Sequence, residues 1–154
     1  MNATFTDCYT SPLGLVQVSA SCDAITAVTF VDHPPSKVNA NALTTLAIDQ
    51  LSEYFTGHRH AFTLPLEAAG TPFQKQVWQA LLSIEYGSLA SYSDIATEIG
   101  NPKAVRAVGA ANGKNPIAIV VPCHRVIGKN GTLTGYAGGI DKKQQLLALE
   151  QRRT

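Results

Sequence analysis

Near Gly70 the character of this chain changes, from β-rich segments and one amphipathic helix to short helices with many small residues, and no other feature of the sequence constrains the fold as much. Upstream, Leu15 to Ala20 and Ile25 to Val31 are β-rich segments set apart by turn residues, and Ser11-Pro12-Leu13-Gly14 reads as a hairpin connection. Leu43, Leu46, Ala47, Leu51, Tyr54 and Phe55 then follow the three-and-four spacing of an amphipathic helix, expected to cover one face of a small sheet. Downstream, short helices rich in small residues take over. With 154 residues, 45% of them hydrophobic, the chain can bury one full core or two small units packed together, and the pattern favours two. Residues 1–69 are expected to form an α/β domain, a small antiparallel sheet plus a helix, and residues 70–154 a mostly α domain.

The second unit opens on a strong start signal. Thr71 is placed to cap a helix, Pro72 takes its first position, Gln74 completes a capping box, and Phe73, Val77, Leu81 and Ile84 make one apolar face. A second short helix follows Ser91, carries Ile95, Ala96 and Ile99, and ends at Gly100. Asn101 and Pro102 are expected to supply the cap and first turn of a third helix, so the pair reads as helix-turn-helix. That third helix is lined by Ala104, Ala107, Gly109, Ala110 and Ala111 around one long cation, Arg106. Small side chains there permit close approach, either of a core element or of a ligand. The apolar run Ile117 to Val121 reads as a buried extended segment that delivers Pro122-Cys123-His124-Arg125. A Gly-rich loop from Gly128 to Gly139 and a helix from about Ile140 to Arg152 close the chain.

The net charge of +1 hides an asymmetry. Residues 1–69 hold two basic and six acidic residues, net −4, whereas residues 70–154 hold ten basic and five acidic, net +5. A basic half in a nearly neutral protein points to an anionic partner, such as nucleic acid. No apolar run approaches the roughly 20 residues of a membrane span and no signal pattern opens the chain, so a soluble, cytoplasmic protein with no membrane partner is expected. Three cysteines, Cys8, Cys22 and Cys123, cannot all pair within one chain, and reduced thiols are the default.

A cysteine attacks as thiolate, and at an ordinary pKa of about 8.5 little of it is ionised near neutrality. His124 is a candidate base for Cys123, directly or through one water. Glu150 is the candidate carboxylate to orient the imidazole. It lies four residues after Leu146 and three after Leu147, on an apolar helix face near a C-terminus, where the helix dipole disfavours a negative charge. Taken singly, Cys123 also fits a buried inert thiol and Glu150 a frayed surface residue.

Pro122-Cys123-His124-Arg125-Val126 resembles the active-site signature of the O6-alkylguanine-DNA alkyltransferases, the methylated-DNA-protein-cysteine methyltransferases. The likeness continues in family order through Tyr86-Gly87, Ser91-Tyr92, Gly100-Asn101-Pro102-Lys103-Ala104, Arg106-Ala107-Val108-Gly109, Asn115-Pro116, Gly135-Tyr136-Ala137-Gly138-Gly139 and Leu146-Leu147 to Glu150. It is dense over about residues 71–151 and looser before them, resting there chiefly on Ser11-Pro12-Leu13-Gly14.

The resemblance implies a ribonuclease H-like N-terminal domain and a winged-helix-like, helix-turn-helix C-terminal domain. It implies a DNA-repair methyltransferase that moves an alkyl group irreversibly from O6-alkylguanine or O4-alkylthymine to Cys123, once per molecule. In that reading His124, a water and Glu150 deprotonate Cys123, and Tyr92 crowds the DNA phosphate and helps protonate the departing base. Arg106 fills the space of the flipped nucleotide. Ala104, Ala107 and Thr71 are expected at the minor groove of double-stranded DNA, and Asn115 at a hinge that ties the recognition helix to the active-site segment. Pro122, Val126, Tyr136, Ala137 and Gly138 form the base pocket. Ala137, where some relatives carry serine, resembles the bacterial constitutive form. No cofactor is required and a monomer is expected. Zinc is expected to be absent: Cys8 and Cys22 sit near the positions where some relatives hold it, but Ile25 and Thr26 stand where a histidine ligand belongs, and His33, His58 and His60 lack zinc spacing.

Three other readings compete. A lesion-binding module without repair activity lacks the acceptor cysteine, whereas Cys123 is present here. A winged-helix regulator would not need Cys123. A cysteine hydrolase would use the same Cys, His and acid, but it leaves Arg106 and the small-residue helix without a purpose.

Overall fold

The computed structural model describes residues 4–128, 130–131, 133, 135–136 and 138–152, and the chain divides into two compact units. One comprises residues 1–69 with 116–120, the other residues 70–115 with 121–154.

In the first unit, β1 (Phe5–Ser11), β2 (Gly14–Ala20) and β3 (Ile25–Phe30) form an antiparallel sheet in sequence order. Alternation puts Val16, Val18 and Ala20 of β2 in the core, where Ala47, Leu51, Tyr54 and Phe55 of α1 (Ala42–Phe55) join them. Asn41 starts that helix with a capping box to Thr44. Segment 116–120 runs beside β3, with Val28 N donating to Pro116 O at 3.0 Å and Ala118 N to Val28 O at 2.9 Å.

Here the structure departs from the expected extended run Ile117 to Val121. The segment is buried, but it turns: Ile119 has φ 71 and Val120 N donates to Ala118 O at 2.8 Å, closing a γ-turn of the rare, positive-φ kind. An apolar run reports burial, and it carries no signal for where the backbone folds back.

The second unit is mostly helical: α2 (Pro72–Leu81), α3 (Tyr92–Glu98), α4 (Val105–Gly113) and α5 (Ile140–Arg152), with a two-residue parallel pair between β4 (Ala90–Ser91) and β5 (Val126–Ile127). Thr71, Pro72 and Gln74 form the expected capped start of α2. Ser91 caps α3 through Asp94. Trp78 donates its indole N–H to Ala111 O at 2.8 Å, which ties α2 to α4, and a Cβ on Gly70 would come within 2.5 Å of the Trp78 ring.

The third helix begins later than the sequence suggests. Gly100, at φ +78, ends α3 in a Schellman arrangement in which Asn101 N donates to Ala96 O at 2.9 Å and Gly100 N to Thr97 O at 3.0 Å. Asn101 is therefore spent on ending α3. Residues 101–104 make a turn, and α4 starts at Val105 from Ala104, with no side-chain cap. Among the described residues no helix is long and apolar enough to cross a membrane, and no cluster of three His, Cys, Asp or Glu side chains is arranged to hold a metal.

Candidate active site

Cys123 opens a 3-10 turn, Cys123–Arg125, and is 4% exposed. Pro122, at φ −81 and ψ 60, bends the chain into an inverse γ-turn closed by Cys123 N to Val121 O at 2.8 Å. Just beyond α4, Asn115 directs its amide N–H groups at Val121 O (2.9 Å) and at Cys123 Sγ (3.1 Å). Asn112, on the last turn of α4, donates to Cys123 O at 3.4 Å. One helix end thus grips the loop that carries the thiol.

Glu150 is fully buried on α5, where His124, Arg125 and, at 3.4 Å, the Gly87 backbone N–H all reach its carboxylate. His124 Nε2 lies 2.7 Å from its Oε2, and Arg125 spans it with Nε to Oε1 at 2.8 Å and Nη2 to Oε2 at 3.0 Å. Arg125 also donates to Ile84 O at 2.6 Å and stacks its guanidinium 5.7 Å from the Tyr86 ring centroid. Lys143, on the same face of α5 one turn before Leu146 and two before Glu150, is wholly buried and donates to Val126 O at 2.6 Å.

The charge states follow from burial. Burial pushes the Cys123 thiol up, only partly offset by the Asn115 hydrogen bond and by the positive charge of Lys143. It pushes the His124 imidazole down, against the pull of Glu150. On Glu150 burial acts upward, but hydrogen bonds from His124 and Arg125 outweigh it and hold the carboxyl at about 2. At neutral pH the resting centre is therefore a thiol, a neutral imidazole and a carboxylate. The carboxylate can only accept, so Nε2 carries the imidazole proton and Nδ1 is left as a bare acceptor with no hydrogen-bond partner among the described residues.

The remaining residues singled out in the sequence lie around this centre. Pro122 and Val126 are buried on either side of the reactive turn. Tyr92, at the start of α3, and Tyr136 line an open cleft of about 550 Å³ with Gly109, Ala110, Gly113, Lys114 and Gly135. Burial raises the Tyr136 hydroxyl well above its ordinary range. On α4, Arg106 and Ala107 are exposed and Ala104 is half-buried, while Thr71 is an exposed cap and Gly138 is half-buried in a turn. Ala137 lies outside the described residues. Sequence reasoning gave no role to Arg125, Lys143 or Asn112. Lys143 was detectable, since the spacing Lys143, Leu146, Glu150 places a cation on the apolar stripe of α5.

A small α/β domain joined to a helical domain, with a thiol, an imidazole and a carboxylate buried together in the latter, defines a two-domain protein built around one cysteine. The 6-O-methylguanine DNA methyltransferase, DNA binding domain matches residues 72–152, and the ribonuclease-like domain of the same family matches residues 5–68. The chain belongs to the 6-O-methylguanine DNA methyltransferase family. It is 49% identical over 150 residues to a methylated-DNA--protein-cysteine methyltransferase of Mycolicibacterium paratuberculosis, covering 94% of this chain and 90% of that one. Its fold is similar to the crystal structure of Mycobacterium tuberculosis O6-methylguanine methyltransferase, with a TM-score of 0.90 and 43% identity over 99% of this chain and 95% of the other. A second Mycobacterium tuberculosis structure, of OGT in complex with DNA, matches with a TM-score of 0.87 and 45% identity over 96% and 92% of the two chains.

Proposed function

We propose that this chain repairs DNA by moving the alkyl group of O6-alkylguanine, and of O4-alkylthymine, from the base to Cys123, irreversibly and once per molecule. The observation that carries the proposal is the resting charge state: a buried thiol followed in the chain by a neutral imidazole whose Nε2 is fixed on Glu150 and whose Nδ1 is a bare acceptor. The relatives named above as methylated-DNA--protein-cysteine methyltransferases support the same reading.

The thiol proton passes through one water to His124 Nδ1, and Glu150 stabilises the imidazolium that forms. The sulfur electron pair attacks the alkyl carbon, the carbon–oxygen bond breaks, and its electrons stay with the base. The base then takes up a proton, helped by Tyr92, and leaves as neutral guanine or thymine, so the thiol proton is conserved overall. Cys123 ends as a thioether, a bond that water does not cleave.

A base inside a duplex cannot reach a cysteine on a protein floor, and flipping costs a few kcal/mol. Arg106, exposed on α4, fills the gap that the base leaves. Ala104, Ala107 and the cap at Thr71 lie against the minor groove, whose roughly 6 Å width admits only a slim helix. Pro122, Val126, Tyr136, Ala137 and Gly138 surround the flipped base, and Asn115 ties α4 to the reactive turn. The protein acts in the cytoplasm as a monomer on alkylated double-stranded DNA.

The test is intact-protein mass after mixing with a duplex that holds one O6-methylguanine, followed by peptide mapping. One added methyl group on Cys123, absent in Cys123→Ser, is the expected result. Lesion-selective binding without a mass change turns the assignment into a binding module, and repeated turnover removes the single-use mechanism.

A further inference from the structure

Asn112 is 2% exposed on the last turn of α4, and its amide is half used. Nδ2 donates to Cys123 O at 3.4 Å, while Oδ1 is buried with no hydrogen-bond partner among the described residues. The donation fixes which way the amide faces, since turning it over would set oxygen against oxygen. A buried amide oxygen left unpaired is costly, so such a group in a folded protein calls for a purpose. This one is fixed beside the residue whose proton must move.

The relay through His124 has a matching need. A water that takes the Cys123 proton and gives one to His124 Nδ1 has two O–H groups, and only one of them points at the imidazole. The second needs an acceptor; without one the water turns freely and for much of the time directs no hydrogen at the imidazole. His124 Nδ1 and Asn112 Oδ1 are both buried acceptors, one on the residue next to Cys123 and the other on a side chain already bonded to Cys123.

We propose that Asn112 is a positioning residue of the proton relay: its Oδ1 accepts the second hydrogen of the water that links Cys123 to His124. Asn112 exchanges no proton itself. As the thiol proton reaches the water, the water's other proton reaches Nδ1, the Nε2 proton stays directed at Glu150, and the hydrogen held by Asn112 does not move. This inference rests on the alkyl-transfer reading above.

The experiment follows single-turnover methyl transfer from a duplex containing O6-methylguanine between pH 6 and 10, in the wild-type protein and in Asn112→Leu. Thermal unfolding and duplex affinity are measured alongside. Loss of an oriented water slows the deprotonation step, so a deficit of about tenfold to a hundredfold is expected at neutral pH. It should shrink toward none at high pH, where the thiol ionises without help. Asn112→Ala, which adds no bulk, makes the same comparison if the leucine variant folds poorly. A deficit equal at every pH marks a merely structural role and overturns the proposal, as does wild-type behaviour in both variants. A wild-type chain that takes up no methyl group sinks the alkyl-transfer reading and this proposal with it.

Discussion

His124 and Glu150 share one hydrogen bond, Nε2 to Oε2 at 2.7 Å, and neither side chain is exposed. Burial keeps the imidazole neutral, and its hydrogen bonds hold the carboxyl ionised down to about pH 2, so the contact at neutral pH joins a neutral donor to a charged acceptor. It becomes an ion pair only when His124 gains the proton of Cys123. This contact is thus stronger in the reacting state proposed above than at rest.

The same arrangement sets the response to acid. Both folded-state pKa values lie below the ordinary 6.5 and 4.5, so the unfolded chain binds more protons in acid than the folded one. The stability they contribute is fully present above pH 6.5 and is lost as pH falls, first through His124 and then, between 4.5 and about 2, through Glu150. The Glu150 part is about 3 kcal/mol. Urea unfolding at a series of pH values up to 8 checks this, with a plateau around neutrality and a decline below it. Equal stability at pH 7 and pH 4 would contradict the assigned charge states.

Arg125 compensates a carboxylate that would otherwise be buried with neutral partners alone, His124 and the Gly87 N–H. Arg125→Met is expected to destabilise the protein by about 3–5 kcal/mol, because it strands that charge. Pairing it with Glu150→Leu removes both charges and should recover much of the loss. Methyl transfer should stay low in the double variant, since His124 has lost its orienting carboxylate. Denaturant melts combined with single-turnover transfer separate the two effects, and full activity in the double variant would remove Glu150 from the relay.

Lys143 makes a different kind of contribution. Its charge lowers the Cys123 thiol pKa from the height to which burial raises it, while burial lowers the pKa of Lys143 itself. Lys143→Met keeps the bulk and removes the charge, so the Cys123 pKa should rise and the pH profile of its iodoacetamide modification should move to higher pH. Peptide mapping keeps Cys8 and Cys22 out of the reading. Val126 O loses a donor as well, at a cost of about 1–3 kcal/mol in unfolding free energy. An unmoved profile would mean that the charge of Lys143 does not reach the thiol.

Local signals in the sequence reached local structure. The capping box at Thr71 and Gln74, the hairpin at Ser11 to Gly14 and the alternation of β2 depend on residues a few positions apart, and each element formed where its signal lay. Where one local requirement displaced another, the reading slipped: the Asn101 backbone ends α3, so α4 starts three residues after Pro102. The turn at Ile119 had no signal, because apolar residues specify burial without direction. Within the candidate site, Cys123, His124 and Glu150 were legible through the family resemblance. The clamp of Arg125 on Glu150 across 25 positions, and the approach of Asn112 to the Cys123 carbonyl, depend on packing that no spacing rule expresses.

The exposed face of α4 separates binding from stability. Arg106 and Ala107 are both exposed, so substitutions there should change unfolding free energy by only about 0.5 kcal/mol. Their effects on DNA should differ. Arg106→Ala removes the cation proposed to enter the duplex, so the salt dependence of binding should weaken by about one counterion, and methyl transfer should slow more than affinity falls if that side chain fills the gap of the flipped base. Ala107→Leu keeps every charge and adds only bulk; affinity for the duplex should drop about tenfold or more at every salt concentration, with the slope unchanged. Fluorescence anisotropy at several salt concentrations, run beside transfer kinetics, tests both. If Ala107→Leu binds as tightly as the wild type, this face of α4 does not enter the groove, and the small residues along it are there for packing alone.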